Sequence, residues 1–386
     1  MKIVIAPQGF KGSLSAREVA DAMARGIQHV LVNASMVLVP MADGGEGTVD
    51  ALVSATRGRF ITSEVTGPLG EKVVATWGIL GDKSTAIIEM AAASGITLVP
   101  PDILNPMIAT TYGTGELIRA ALDEGCRKLI IGIGGSATND GGAGMAQALG
   151  VRFLDDGGNE LPRGGAALDR LKQIDVSGLD TRLAVCKVTV ACDVTNPLCG
   201  VQGASLVYGP QKGATKDMCQ QLDKALANYA TVIKQELGID ITDMPGGGAA
   251  GGLGAGLVAF LSAELMPGID IICEATRLSR HLEGAALVFT GEGRIDTQTI
   301  FGKTVTGVAA RAKVSGVPVV AIAGELAITN EELNQYGIDA ALSISPGPIS
   351  LEESSTNASG LITNTTERAL RLILITLEKQ SSNGDS

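Results

Sequence analysis

The chain has 386 residues, enough for about two or three domains and for a core that needs no disulfide or metal staple. With 45% hydrophobic and 18% charged residues it is neither disordered nor fibrous, and a net charge of −11 with 3% aromatics argues against a nucleic-acid or anionic-membrane partner. Glycine is the outlier: 51 residues, in clusters without a three-residue period, against a usual share of about 7%. Such clusters let backbone approach a ligand closely.

Lys2–Ala6 reads as an apolar strand, and because the chain opens directly on it no signal peptide is expected. Ser15-Ala-Arg-Glu18 has capping-box spacing and starts a helix to about His29. Met36–Pro40 is the next strand, and a helix follows Asp43-Gly-Gly-Glu-Gly47 up to Gly58. Lys72–Leu80 and Thr85–Met90 flank Gly81-Asp82-Lys83 as a hairpin. Lys128–Ile133, Val151–Leu154 and Lys187–Ala191 are further strands, and a long helix covers about Lys216–Leu237. Pro245–Ala263 carries no charge, but its glycines make it a loop feeding a short buried helix rather than a membrane span. From about residue 284 strand and helix alternate again: Ala286–Thr290, a helix from Gly302, Val317–Ala323, a short helix after Asn330, Ala340–Ile344 and a last helix over about Glu367–Lys379.

This order predicts an α/β protein of two domains. Residues 1–60 and 284–386 form a discontinuous, Rossmann-like parallel-sheet domain, and a mixed-sheet α/β domain, 61–283, is inserted into it. A cleft between two such domains is a common place for a small ligand. Six cysteines without a Cys-x-x-Cys pair, and only two histidines, predict reduced thiols in a cytoplasmic protein and no zinc site. The oligomeric state is left open, a homo-oligomer included.

Six glycine-rich loops carry the chemistry: Gln8–Ser13, Ala42–Thr48, Gly132–Gly142, Gly209–Gly213, Pro245–Gly252 and Thr290–Asp296. At strand ends, such loops point backbone N–H groups at phosphates. A Walker A loop is absent, because Gly302-Lys303-Thr304 has Thr297 where the upstream glycine belongs. Lys303 at a helix start suits either a phosphate or solvent. Gly132-x-Gly134-x-x-Ala137, with Asp155 or Asp156 about 20 residues on, also fits a dinucleotide fingerprint. Against that reading, Thr138-Asn139-Asp140 intervenes before any helix and looks more like a metal–phosphate ligand set.

Phosphoryl transfer needs a divalent metal on one or two carboxylates, positive charge at the transferring group and an acceptor for the hydroxyl proton. The loop acids are Asp43, Glu46, Asp140, Asp193, Glu292 and Asp296, each of which could equally be a turn or helix cap. Asp193, ahead of Asn196-Pro197, and Asp296, after Gly-Glu-Gly-Arg, stand out by context. The accompanying cations are Lys11, Lys212, Arg294 and Lys303. His29 and His281 close helices, so a histidine base is not expected, and no Gly-x-Ser-x-Gly elbow is present.

Taken together, Pro40–Thr48, Ile131–Gly142, Ala191–Leu198, Gly209–Ala214, Gly248–Gly252, and Thr290–Asp296 with Gln298-Thr299 and Gly302-Lys303 carry a resemblance. Over nearly its full length the chain resembles the bacterial type I, ATP-dependent glycerate kinase family. The resemblance implies a two-domain α/β kinase that uses ATP and Mg2+ and phosphorylates D-glycerate, giving 2-phosphoglycerate. In that reading Lys11 and Arg294 clamp the glycerate carboxylate, with Asp43 and Glu46 beside the substrate. Asp193 and Asp296 position Mg2+ and the attacking hydroxyl, while Gly134, Gly135, Ser136, Asn139, Gly247, Gly248 and Lys303 bind the nucleotide phosphates.

One departure matters. The family typically reads Ala-Pro-Asp-Ser-Phe-Lys-Gly where this chain has Ala6-Pro7-Gln8-Gly9-Phe10-Lys11-Gly12. If the lost acid held metal or took a proton, activity falls heavily; if it capped a loop, Gln8 is tolerated. The alternatives are a non-catalytic glycerate- or nucleotide-binding paralogue, motivated by Gln8, and an NAD-dependent dehydrogenase.

Overall fold

A computed structural model describes residues 1–296 and 304–383, of which 376–383 as backbone alone. In chain order its strands are β1 (Lys2–Ile5), β2 (Ser35–Leu38), β3 (Arg59–Thr66), β4 (Lys72–Ile79), β5 (Thr85–Glu89), β6 (Lys128–Gly132) and β7 (Arg152–Leu154). They continue as β8 (Gln173–Asp175), β9 (Lys187–Ala191), β10 (Glu264–Met266), β11 (Leu287–Asp296), β12 (Val319–Ala327) and β13 (Ala340–Ser343). The chain divides into two compact units: Met1–Asp43, Asp50–Thr56 and Ile272–Ser386 form the first, Gly44–Val49 and Arg57–Ile271 the second.

The first unit is built on an all-parallel sheet in the order β13-β12-β11-β1-β2. From β1 the chain winds one way to β2; on its return at β11 it winds the other way through β12 and β13. The winding therefore reverses between β1 and β11, and in open parallel sheets ligands bind outside the carboxyl ends of strands at such a point. Ile3, Ile5, Phe289 and Ile322 are buried on this sheet together with Met23 and Ile27 of the helix Ala16–Gln28. That helix starts on the expected capping box, with Ser15 and Glu18 satisfying each other's backbone N–H groups. Val19, Met23 and Ile27 recur at a four-residue interval and form its apolar stripe.

The second unit holds a mixed sheet, β10-β9-β6-β5-β4-β3. Strands β5, β6, β9 and β10 run parallel, and β4 and β3 extend the edge in antiparallel fashion. β4 and β5 make the expected hairpin, its turn held by Asp82 accepting the Ser84 and Thr85 N–H groups. Trp77 is buried, and its indole N–H donates to Ser63. β7 and β8 form a separate antiparallel pair.

Several elements differ from the sequence expectation. β3, β8 and β10 were not expected: β3 is mostly exposed along its first six residues, and β8 and β10 are three residues each. Thr290–Asp296, expected as a loop, is the continuation of β11, because β12 runs on beside it and pairs Arg294 with Glu325 and Asp296 with Ala327. The last helix begins at Ala358 rather than near Glu367. Its polar first turns are stabilised by packing on the helix Ala16–Gln28, where Thr363 Oγ1 donates to the Ala22 carbonyl. Pro245–Ala263 is a glycine turn feeding the buried helix Ala249–Leu261, whose residues 250–252 are left-handed. Among the described residues no helix is long and apolar enough to cross a membrane.

Candidate active site

In the first unit, three backbone bonds align the segments leaving the strands. Ala6 N–H donates to Phe289 O, Gln8 N–H to Gly291 O and Met41 N–H to Pro7 O, at 2.7, 2.8 and 2.9 Å. Lys11, Asp43, Arg294 and Asp296 therefore all follow from the carboxyl ends of β1, β2 and the inner part of β11, on either side of the winding reversal. Lys11 is exposed and Asp43 half-buried. Arg294 is exposed and lies between two carboxylates, with Nε 3.2 Å from Asp296 Oδ2 and Nη1 3.2 Å from Glu325 Oε2. Exposed pairs of this kind are worth less than about 1 kcal/mol, so the guanidinium can turn to a ligand carboxylate at small cost. Gln8 is buried, and its Oε1 has no hydrogen-bond partner among the described residues. Lys303 lies outside the described residues.

In the second unit, four of the glycine-rich segments gather. The 132–142 loop leaves β6 and is organised by the fully buried carboxylate of Asp140. This side chain accepts from Thr111 N, Thr111 Oγ1, Gly142 N and Gly144 N at 2.8–3.2 Å. Burial raises the Asp140 pKa in spite of these bonds. Its role here is to shape the loop. The 246–252 segment packs directly on that loop: Gly141 N–H donates to Gly251 O, and a Cβ on Gly251 would sit 2.0 Å from the Thr138 carbonyl. With φ at +70°, only glycine fits there. Gly248 N–H donates to Asn196 O, which ties in the segment carrying Asp193. Gly44 touches Ala191 so closely that a Cβ would stand 2.4 Å from the alanine methyl, bringing the stretch that bears exposed Glu46 to the same strand ends.

Asp193 is exposed, and its Oδ1 accepts the N–H of Gly268, the first residue of the helix Gly268–Ala275. Gly134 and Gly135 are exposed, Ser136 and Asn139 buried, and Gly247 and Gly248 buried. Asn139 Nδ2 donates to Ser205, while Asn139 Oδ1 and Thr138 Oγ1 are buried without a partner among the described residues.

Two residues were undervalued by sequence reasoning. Lys212 is 1% exposed and bonds to the 132–142 loop, and burial pulls its amine down to about 7. Its signal was a lysine enclosed in Gly209-Pro-Gln-Lys-Gly213. Glu89 ends the apolar strand β5, accepts the Val49 N–H at 2.8 Å and has its pKa raised by burial. An acid closing an apolar strand was the available cue.

No three His, Cys, Asp or Glu side chains gather as a metal cluster among the described residues. With Asp140 committed to four donors, the donors left are separate carboxylates and the unpartnered oxygens of Thr138 and Asn139. That set fits Mg2+ held largely by a nucleotide's own phosphates rather than by a protein cage. The dinucleotide fingerprint lacks its geometry: residues 133–142 are irregular, and the next helix starts only at Ala143.

The sequence model of the glycerate kinase family matches residues 3–374. A glycerate kinase of Bacillus subtilis (strain 168) is 56% identical over 93% of this chain and 94% of its own length. A glycerate 2-kinase of Escherichia coli (strain K12) is likewise 56% identical, over 89% of this chain and 90% of its own. A crystal structure from Salmonella typhimurium LT2, assigned as glycerate kinase 2, superposes with a TM-score of 0.91 at 52% identity, covering 98% of this chain and 99% of that one. On a match that spans almost every residue from β1 to the last helix, the chain belongs to the glycerate kinase family.

Proposed function

We propose that this chain is a cytoplasmic kinase that transfers the γ-phosphoryl group of ATP to the 2-hydroxyl of D-glycerate, releasing ADP and 2-phosphoglycerate. The observation that carries this reading is the convergence of the 132–142, 191–198 and 246–252 segments on one another, in a chain whose E. coli relative is named a glycerate 2-kinase. Mg2+, when bound, neutralises charge on the phosphates.

The chain is read as two domains, a discontinuous one of residues 1–60 and 284–386 and an inserted one of residues 61–283. Lys11 and Arg294 hold the glycerate carboxylate, the arginine through its two-pronged guanidinium. Asp43 and Glu46 flank the acceptor. Asp193 and Asp296 are the carboxylates for the metal and for orienting the attacking hydroxyl, one of them taking its proton. Gly134, Gly135, Ser136, Asn139, Gly247, Gly248 and Lys303 bind the nucleotide. The buried amide of Gln8 is compatible with turnover because the other loop acids are all in place.

The test is turnover with D-glycerate, ATP and Mg2+, coupled through enolase without phosphoglycerate mutase, with ADP release followed in parallel. Signal in both channels is the expected result. ADP release without enolase signal, after subtraction of glycerate-independent hydrolysis, moves the phosphate to the 3-hydroxyl. Silence in both from folded protein overturns the kinase reading and leaves a binding protein inactivated at Gln8.

A further inference from the structure

The amine of Lys212 is buried against neutral oxygens. Its Nζ donates to Ser136 Oγ at 2.8 Å and to the Thr138 carbonyl at 2.6 Å, and it makes no ion pair among the described residues. The Asp140 carboxylate favours the charge through space, but its own oxygens are occupied by Thr111, Gly142 and Gly144. A buried cation without an ion-pair partner is costly, which makes an arriving anion a strong counterpart.

The direction of the hydrogen bonds adds a second point. In its protonated form Lys212 has donors only, so Ser136 Oγ is then the acceptor in this bond and its own O–H proton must be directed elsewhere. Among the described residues no acceptor receives that proton. Nor do the backbone N–H groups of Gly134, Gly135 and Ser136 find acceptors among them, although the neighbouring Gly135 carbonyl and Ala137 N–H are used by Ile96 and Ser94. Gly134 and Gly135 are exposed, and Gly135 has a left-handed φ of +72°. Consecutive free N–H groups in a turn, joined by a hydroxyl that can only donate, form an anion nest.

We propose that residues 134–136 are an oxyanion nest for the terminal phosphates of the nucleotide, and that Lys212 is its positioning residue, acting through the Ser136 hydroxyl without touching the ligand. This rests on the kinase reading and extends it to a residue that reading leaves unused. The ammonium withdraws charge from Ser136 Oγ, which strengthens the O–H as a donor to phosphate. A glycerate carboxylate shares the oxyanion chemistry. The nucleotide is favoured because a phosphate group offers more oxygens to a set of four donors.

The experiment is calorimetric titration of the full chain, as wild type, Ser136→Ala, Lys212→Met and the double variant, with ADP, pyrophosphate and D-glycerate. ADP and pyrophosphate are expected to bind about tenfold or more weakly to each single variant, with D-glycerate affinity unchanged. Because the two residues act in series, the double variant should be no weaker than the worse single. A purely structural defect would weaken all three ligands together and overturns the proposal. Unchanged pyrophosphate affinity in Ser136→Ala overturns it, as does a loss confined to D-glycerate, which would put the acceptor's carboxylate in the nest. Additive losses overturn the relay from Lys212. If Lys212→Met does not fold, Lys212→Gln replaces it, and Ser136→Ala alone still decides the nest. A wild-type chain that binds pyrophosphate but turns over no glycerate would fail the kinase reading while leaving the nest to be judged by Ser136→Ala.

Discussion

Asp193 Oδ1 accepts the backbone N–H of Gly268 at 2.9 Å, so a carboxylate proposed for the metal also caps the start of the helix Gly268–Ala275. Asparagine caps a helix about as well as aspartate but carries no charge. Asp193→Asn should therefore change folding stability by less than about 1 kcal/mol, while turnover falls on the order of a hundredfold or more. Urea denaturation and kcat measured on the same preparation separate the two roles. Turnover close to wild type would leave Asp193 a cap and nothing else.

Arg294 contributes little to the fold by its contacts with Asp296 and Glu325, both of which lie at an exposed strand end. Arg294→Ala should leave the melting temperature nearly unchanged and raise KM for D-glycerate by roughly tenfold or more, with KM for ATP hardly moved. Arg294→Lys should not restore the affinity, because a single ammonium cannot grip both carboxylate oxygens. If both substrates lose affinity equally, the arginine does not clamp glycerate.

Gln8 and Gly9 replace the acid and hydroxyl typical of the family. Gln8→Asp should alter kcat by less than about tenfold, since the amide already occupies this buried position and the remaining loop acids are present. A gain of a hundredfold or more would identify Gln8 as a crippling change. Gly9→Ser is expected to cost about 1 kcal/mol, because a Cβ there would press on Leu14 O at 3.1 Å and Ala16 N at 3.2 Å. Thermal denaturation of the single and double variants checks both.

Lys212 gives a pH signature. Burial holds its amine at about 7 in the folded chain, below its ordinary value of 10.5. Between these values the unfolded chain binds the extra proton, so this group makes folding more favourable as pH rises from about 7 towards 10; below about 7 its full cost remains. Wild type should therefore gain stability over Lys212→Met across that window by up to about 1.4 kcal/mol per pH unit. Urea titrations of both proteins at about pH 6, 7.5 and 9, from roughly one unit below the folded pKa to roughly two units above it, test it. A constant difference would mean that the folded chain keeps the ammonium charged throughout.

The strand–helix alternation at both ends of the chain was enough to read a discontinuous parallel sheet, because β1, β11 and β12 are apolar runs buried on both faces. β3 escaped notice because Arg59-Phe-Ile-Thr-Ser-Glu-Val-Thr66 lies at a sheet edge and shows no continuous apolar face. The outer half of β11 could not be read locally, since its extended form depends on a partner strand some thirty residues on. The same limit applies to the site. The glycine-rich segments were visible one by one, but the contact of Gly251 with Thr138 is a tertiary fact. So is the burial of Lys212, which depends on Ser136, 76 positions away. Residues whose chemistry is set by distant neighbours carry no periodicity of their own.

The strand order of the first unit also bears on how the protein is made. Ile3 of β1 pairs with Leu287 of β11, and the whole of the second unit is encoded between them. At about 5–20 residues per second, a ribosome takes on the order of 10–60 s to bridge that interval. The nascent chain can complete the inserted sheet while β1 and β2 still lack the strand that joins them to β12 and β13. The first segment to emerge is thus among the last to be covered, and its apolar side chains depend on the arrival of β11 for protection from other chains.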